Sequence, residues 1–426
     1  MSTSGRASGG PTTGTMQRQL SVSWSPRFHE YIQQDYLYNL AKYKYSGVDA
    51  GIISRYIMQP YWNFIINLVP MTVAPNAITL TGFLIGLSSS LLIMFYYFFS
   101  DAVYPAWVWY YAAFAIFLYQ TLDAIDGKQA RRTNTGSPLG ELFDHGCDAL
   151  LTPFVQLNVC CAVNTPPIMA FAYMAISSCV LFGAIWEQYI TGTLELSYFS
   201  GPTDGILAAC VVFIITGLFS PSVWDSVVVG PYEVLPFQFS ESLPCVISTA
   251  RSIVFVLYAF GGAITLGTNI FHVLTRPNIQ ARCVPLLTAL PMLILLLLHI
   301  CLFVVYQSIY SRYPFALEMS FAFLSSYTVT RMTVSRLCAM PHSIFNGYYL
   351  ATLFVTLGAL VAHTYLPQFE AKYLIPSLGS ATVALAVLGV WQYVHMIVSV
   401  FMQLSCFLHI PLLSISSHHG VGTKRD

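Results

Sequence analysis

From about residue 77 the chain becomes a succession of long apolar runs separated by short polar breaks. A helix needs about 20 mostly apolar residues to cross the hydrocarbon core of a bilayer. Such runs predict spanning helices near 77–99, 106–127, 139–162, 168–192, 204–220, 250–274, 284–307, 315–335, 344–364 and 377–409, the fifth short and the last long. Upstream the pattern is different. Residues 1–26 are rich in Ser, Thr and Gly, a composition that stays disordered. From Tyr31 to Val69 aromatic residues are frequent without a continuous apolar run, and Ile52 to Leu68, with Tyr56, Tyr61, Trp62 and Phe64, reads as an amphipathic helix lying on a membrane surface. Packing on the protein's own polar end is the equal alternative for that helix. The predicted fold is an all-α polytopic membrane protein of about ten transmembrane helices, preceded by an N-terminal interfacial amphipathic helix. Its expected divisions are a disordered tail (1–30), an interfacial segment (31–75), a chemistry-bearing set of helices (76–275), C-terminal helices (276–410) and a second tail (411–426).

Charges in the breaks orient this scheme. Lys and Arg collect on the cytoplasmic side of membrane proteins. With a cytoplasmic N-terminus, even-numbered helices end inside. Lys128, Arg131 and Arg132 follow the second, Arg276 and Arg282 the sixth, Arg331 and Arg336 flank the end of the eighth, and Lys424 and Arg425 close the chain. The long 221–249 break carries Asp225, Glu233 and Glu241 and no basic residue. No signal-like apolar core precedes residue 50, so the first spanning helix is the expected insertion signal.

Composition narrows the class. Charged residues make up 8% of the chain, against about 25% in soluble domains. With 56% hydrophobic residues and a formal net charge of zero, the chain is a membrane protein without the basic surface of a nucleic-acid partner. The ten cysteines show no CxxC or zinc spacing and read as buried thiols.

Against that sparse charge, residues 121–150 stand out, with Asp123, Asp126, Glu141, Asp144 and Asp148 inside 26 residues. A carboxylate at membrane depth costs roughly 2.5–3.5 kcal/mol on insertion scales, so a cluster calls for compensating charge. Asp123 and Asp126 share one helical face, and Glu141, Asp144 and Asp148 share another. Thr133 to Pro138 is rich in turn residues. The pattern predicts a helical hairpin with facing acidic surfaces, suited to Mg²⁺ or Mn²⁺. Gly127 and Ala130 keep the first helix slim, and Lys128, Arg131 and Arg132 supply charge suited to phosphate.

The order Asp123-x2-Asp126-Gly127-x2-Ala130-Arg131-x8-Gly140-x3-Asp144-x3-Asp148 resembles, without a gap, the signature of the CDP-alcohol phosphotransferase family. Lys42 to Asp49 (KYKYSGVD), Ala74-Pro75-Asn76-x-Ile78-Thr79, Gly127 to Asn134, Ser137 to Gly146, Trp186-Glu187-x-Tyr189 and Gly201 to Gly205 are similar to its eukaryotic choline/ethanolamine branch. Relatives commonly carry Glu where this chain has Asp204. The likeness is close over most of 40–210.

The resemblance implies transfer of phosphocholine or phosphoethanolamine from CDP-choline or CDP-ethanolamine to the hydroxyl of diacylglycerol, releasing CMP. It implies two divalent ions on Asp123, Asp126, Glu141, Asp144 and Asp148, phosphate contact by Arg131, nucleotide contact by Asn76 and assistance from Lys128. His145 takes the role of base, since imidazole titrates near working pH. Asp148 is its rival, nearer the nucleophile but a poorer base when bound to metal. Asp204 is a relay, an alcohol-binding carboxylate, or simply an acidic residue at a helix start. Trp186 and Tyr189 are candidates for an aromatic cage around choline. A homodimer and an endoplasmic reticulum membrane, with Golgi as the alternative and the site facing the cytosol, follow from the family and pathway alone.

His29, His272, His299, His363 and His395 show no metal-ligand motif and read as structural or interfacial, and His418-His419 as solvent-exposed. The last four helices are uninformative, fitting a lipid chamber, a dimer interface or completion of the bundle. Two other readings remain: use of CDP-diacylglycerol with a soluble alcohol such as inositol, and a cation-coupled transporter. The second expects carboxylates along a path or broken helices at mid-membrane, not a crowd at one edge.

Overall fold

The computed structural model describes residues 30–196, 201–226, 249–275, 283–305, 314–343, 347–365 and 375–415. Most of the N-terminal tail, the acidic part of the 221–249 break with Glu233 and Glu241, Arg276, Arg282, His29 and the end of the chain with His418-His419, Lys424 and Arg425 lie outside the described residues.

Ten long helices occur among the described residues, close to the expected places: α1 (Pro75–Phe99), α2 (Ala106–Thr133), α3 (Pro138–Ala162), α4 (Pro167–Thr191), α5 (Pro202–Phe219), α6 (Ala250–Thr275), α7 (Cys283–Val305), α8 (Pro314–Leu337), α9 (Gly347–Tyr365) and α10 (Ile375–Leu408). Six of these described helices, α1, α4, α5, α6, α7 and α10, are long and apolar enough to cross a membrane. The chain is an all-α multi-pass membrane protein. The acidic α2 and α3 fall outside the six because they carry the charged stretch. Hydroxyl-rich α8, which carries Glu318, Arg331 and Arg336, falls outside by composition, and it is enclosed by protein: Phe321, Met332, Ser320, Thr333 and Ser335 are all fully buried.

Contacts between distant residues fix which helix ends lie together. Asn76 Nδ2 donates to Leu412 O (2.8 Å), Tyr189 accepts from His342 N (3.3 Å), Arg336 pairs with Glu141, and His272 meets Glu187. These gather the start of α1, the α2–α3 turn and the ends of α4, α6, α8 and α10 at one end of the bundle. At the other end Arg251, opening α6, binds Asp225 and the carbonyl of Asn164 beyond α3. Among the described residues the even-numbered helices end together, as expected.

Two elements close the first end. A parallel strand pair joins β1 (Gly47–Asp49) to β2 (Leu194–Leu196), with Val48 opposite Glu195. The helical stretch through Ile52 to Leu68 buries Met58, Trp62 and Ile66 against Ile78 and Ile125, and exposes Tyr56, Ile57, Phe64 and Leu68. Both of its faces are apolar, one against protein. Upstream, Ile32, Leu37 and Leu40 pack on α8 and α10, where Gln403 Oε1 accepts from Tyr31 N (3.2 Å).

α3 is held from outside. Pro153 has no N–H, which frees the carbonyl four residues back. That carbonyl, Ala149 O, accepts from Ser326 Oγ of α8 at 2.5 Å. One turn earlier, Gly146 O accepts from Tyr393 Oη of α10 at 2.8 Å. The C-terminal helices grip α3 beside Asp144 and Asp148.

Candidate metal and phosphate site

The hairpin turn is written locally. Asn134 closes α2 in the left-handed region (φ 56°), a conformation Asn tolerates. Thr135 N then donates back to Ala130 O at 2.9 Å. Ser137 caps α3 by accepting from Gly140 N at 3.1 Å, with Pro138 at the first helical position. A side chain at Gly140 would stand 3.3 Å from Asn76 Oδ1, so glycine lets α1 approach there. The last turns of α2 now face the first turns of α3.

Asp123, Asp144 and Asp148 converge, each offering an oxygen within 4.8 Å of the others. Asp123 Oδ1 and Asp144 Oδ1 are buried without a hydrogen-bond partner. Unsatisfied carboxylate oxygens aimed at one another are costly unless a cation joins them. An all-oxygen donor set of this kind fits a hard divalent ion. Asp148 also accepts from the Tyr119 hydroxyl of α2, and buried Asp126 accepts from the Thr79 hydroxyl of α1.

Glu141 is placed differently. Its Oε1 pairs with Arg336 of α8 and accepts from Gln188 Nε2 at 3.1 Å, while Oε2 is buried without a hydrogen-bond partner. The five acids expected as one set thus divide into three that converge, Asp126 beside them on Thr79, and Glu141 turned toward a cation 195 residues away. His145 is buried, and its Nδ1 has no hydrogen-bond partner.

A cavity of about 510 Å³ opens on this end, lined by Tyr45, Asp49, Arg55, Gln59, Arg131 and the β1–β2 pair. Tyr45, 49% exposed as a whole residue, links it to the acids: partial burial of the phenol first, then the negative field of Glu141 and Asp144, pushes it up to about 12. It therefore keeps its proton, and can donate it in a hydrogen bond, across the neutral range. A Cβ on Gly127 would meet Arg131 Nη1 at 3.6 Å, so the slim face of α2 looks onto that guanidinium.

Other expected residues are engaged elsewhere. Lys128 Nζ donates to Gln59 Oε1 (2.7 Å) and Asn63 Oδ1 (2.9 Å), and Arg132 donates to the carbonyls of Ile66 and Val69. Both tie the interfacial segment to α2. Asp204 caps α5 by accepting from Gly201 N (3.3 Å), leaving Oδ1 buried without a partner. Trp186 lies in the core with its indole N–H on Thr288 Oγ1 (3.0 Å), and Tyr189 meets the His342 loop. Neither lines the cavity. Thr79, Tyr119, Arg55 and Arg336 were not legible as site residues, because a lone hydroxyl or cation in an apolar run carries no spacing signal.

Acidic groups that could hold a metal ion, beside an arginine-lined cavity, suit a membrane protein that handles phosphate. Comparison with known proteins gives the family. Residues 72–232 match the CDP-alcohol phosphatidyltransferase family. The chain is 33% identical over 333 residues to "Choline/ethanolaminephosphotransferase 1" of Arabidopsis thaliana, covering 74% of this chain and 81% of that one. It is 30% identical over 410 residues to "Cholinephosphotransferase 1" of Saccharomyces cerevisiae, covering 90% and 98% respectively. The Xenopus laevis protein of the same name is 28% identical over 405 residues, covering 92% and 94%. The chain belongs to the CDP-alcohol phosphatidyltransferase family and is a membrane-bound transferase.

Proposed function

We propose that this transferase moves phosphocholine or phosphoethanolamine from the matching CDP-alcohol to the free hydroxyl of diacylglycerol, releasing CMP, in the last step of phospholipid synthesis. The names of its relatives support the substrate class. The observation that carries the reading on this chain is the convergence of Asp123, Asp144 and Asp148 within 4.8 Å.

In this reading Asp123, Asp144 and Asp148, with Asp126 alongside, hold two divalent ions, Mg²⁺ or Mn²⁺. Bound there, the ions would neutralise the pyrophosphate and stabilise the departing CMP. Arg131 binds phosphate from the cavity wall, and Tyr45 donates to the same group. Asn76 stands at the nucleotide side. The lipid oxygen attacks the phosphorus bearing the alcohol, the bond from that phosphorus to the CMP oxygen breaks, and the hydroxyl proton passes to His145 Nδ1. The free buried Nδ1 supports His145 over Asp148, whose carboxylate already accepts from Tyr119. Glu141 acts through position, holding α3 to Arg336. Asp204 serves as the cap of α5, and the reading asks no headgroup contact of Trp186 or Tyr189.

All ten long helices are taken to cross the membrane, with the site toward the cytosol and 76–275 carrying the chemistry. The exposed face of Tyr56, Ile57, Phe64 and Leu68 supports seating the interfacial helix in the headgroup layer. Endoplasmic reticulum residence and a homodimer rest on the family.

The test is a microsomal assay in cells lacking their own activity, supplying CDP-choline or CDP-ethanolamine with diacylglycerol and Mg²⁺. Metal-dependent phospholipid that disappears in Asp144→Ala is the expected result, and the product ratio sets headgroup preference. No product from either donor, with the protein expressed and folded, overturns the assignment and makes CDP-diacylglycerol the next donor.

A further inference from the structure

A second group of potential ligands lies away from the acidic hairpin. Glu187 closes the buried face of α4, His272 lies in the last turn of α6, and Glu195 is the central residue of β2. His272 Nδ1 is 2.8 Å from Glu187 Oε1 and 3.5 Å from Glu195 Oε2. All three donor atoms lie within 4.8 Å of one another. We infer that Glu187, Glu195 and His272 form a separate binding site for a divalent transition-metal ion of the zinc and manganese kind.

The chemistry favours an ion over a simple hydrogen bond. One nitrogen carrying at most one proton faces two carboxylate oxygens, and one of the carboxylates, Glu187, is fully buried. A metal ligated by all three atoms balances both negative charges at once. An imidazole in the set shifts the preference from Mg²⁺ toward Zn²⁺ and its neighbours, which accept nitrogen and carboxylate together.

The surroundings are those of a built site. Asn269, in the amide orientation that satisfies both its ends, donates to Glu187 Oε2 (3.1 Å) and accepts from Ala184 N (3.0 Å). Such outer hydrogen bonds fix a ligand carboxylate in place. Gly183 makes this possible, since a Cβ there would strike Leu266 Cδ1 at 2.8 Å and Asn269 Nδ2 at 3.0 Å. Glu195 and His272 side chains are 46% and 38% exposed, so an ion reaches the site from solvent. Three ligands with a satisfied outer layer and open access are what such a site requires.

The placement gives the ion a purpose. Side chains alternate along a strand, so Leu194 and Leu196 face the 510 Å³ cavity while Glu195 points away. An ion on Glu195 pins the strand that walls the cavity to α4 and α6.

The full-length protein in nanodiscs, loaded with Mn²⁺, tests this by pulsed electron paramagnetic resonance. Imidazole-bound Mn²⁺ gives ¹⁴N modulation, which the all-oxygen hairpin cluster does not. Modulation in the wild type that vanishes in His272→Phe, with the hairpin-bound Mn²⁺ retained, is expected. Glu195→Gln, a change at an exposed side chain, should weaken Zn²⁺ binding at least tenfold by equilibrium dialysis. Absence of ¹⁴N modulation, its persistence in His272→Phe, or unaltered Zn²⁺ binding in Glu195→Gln overturns the inference. These readouts count ions directly and leave the phosphotransfer reading untouched either way.

Discussion

α3 and α8 are the two enclosed polar helices of the bundle, and they spend their polarity in opposite ways. On α3, Asp144 Oδ1 and His145 Nδ1 are buried without partners. On α8, Ser325, Ser326, Thr328, Thr333 and Ser335 each donate to a carbonyl one turn back on their own helix. A paired buried hydroxyl is close to neutral in stability, whereas an unpaired buried charge is expensive. The unpartnered carboxylate oxygens converge at the hairpin, whereas these five hydroxyls of α8 are spent within their own helix; Thr330 Oγ1 is the α8 hydroxyl buried without a partner.

That contrast breaks most severely at the carboxylates. Asp123→Asn and Asp144→Asn should each lower phospholipid formation by at least about 10³-fold, on the scale of losing transition-state charge stabilisation. Thermal midpoints measured without divalent ions should be unchanged or higher, since a like charge is removed. A large loss of stability instead would mean that these acids are structural.

Next comes the link between the two helices. Arg336→Met leaves Glu141 buried without its cation, which costs about 3–5 kcal/mol of stability. Adding Glu141→Gln should recover part of that loss, read from denaturation in detergent. Thr79→Val removes the hydroxyl that orients Asp126 and should weaken Mg²⁺ activation about 10–100-fold, with stability little changed. Ser326→Ala strips the proline-freed carbonyl of its donor and should cost about 1–3 kcal/mol, with the Mg²⁺ dependence intact. The smallest effect belongs to Thr333→Val on α8. It loses only a hydroxyl bonded within its own helix (3.2 Å to Val329 O), so stability should move by about 0.5 kcal/mol or less and activity not at all.

Much of this was legible in the chain because it is local. Apolar run length set the helices, the Asn134 to Pro138 turn set the hairpin, and the three- and four-residue spacing of the acids set their faces. The loop charges anticipated the shared end of α2, α4, α6, α8 and α10. The C-terminal helices gave no such signal, yet Arg336, Ser326 and Tyr393 on α8 and α10 all reach α3. A single serine in an apolar run reads as filler until a proline on another helix frees a carbonyl opposite it.

His272 makes the same point in reverse. No ligand spacing surrounds it in sequence, because its partners Glu187 and Glu195 come from elements 77 or more residues away.

The sequence by itself determined the membrane class, the helices, the acidic hairpin and the family, since hydropathy, capping and motif spacing act over a few residues. Only the tertiary structure decided that Asp123, Asp144 and Asp148 converge while Glu141 turns to Arg336. It alone also buried Trp186 and built the Glu187–Glu195–His272 group. Those outcomes depend on how helices cross and which side chains meet between them, and periodicity along one helix does not encode its neighbour's face.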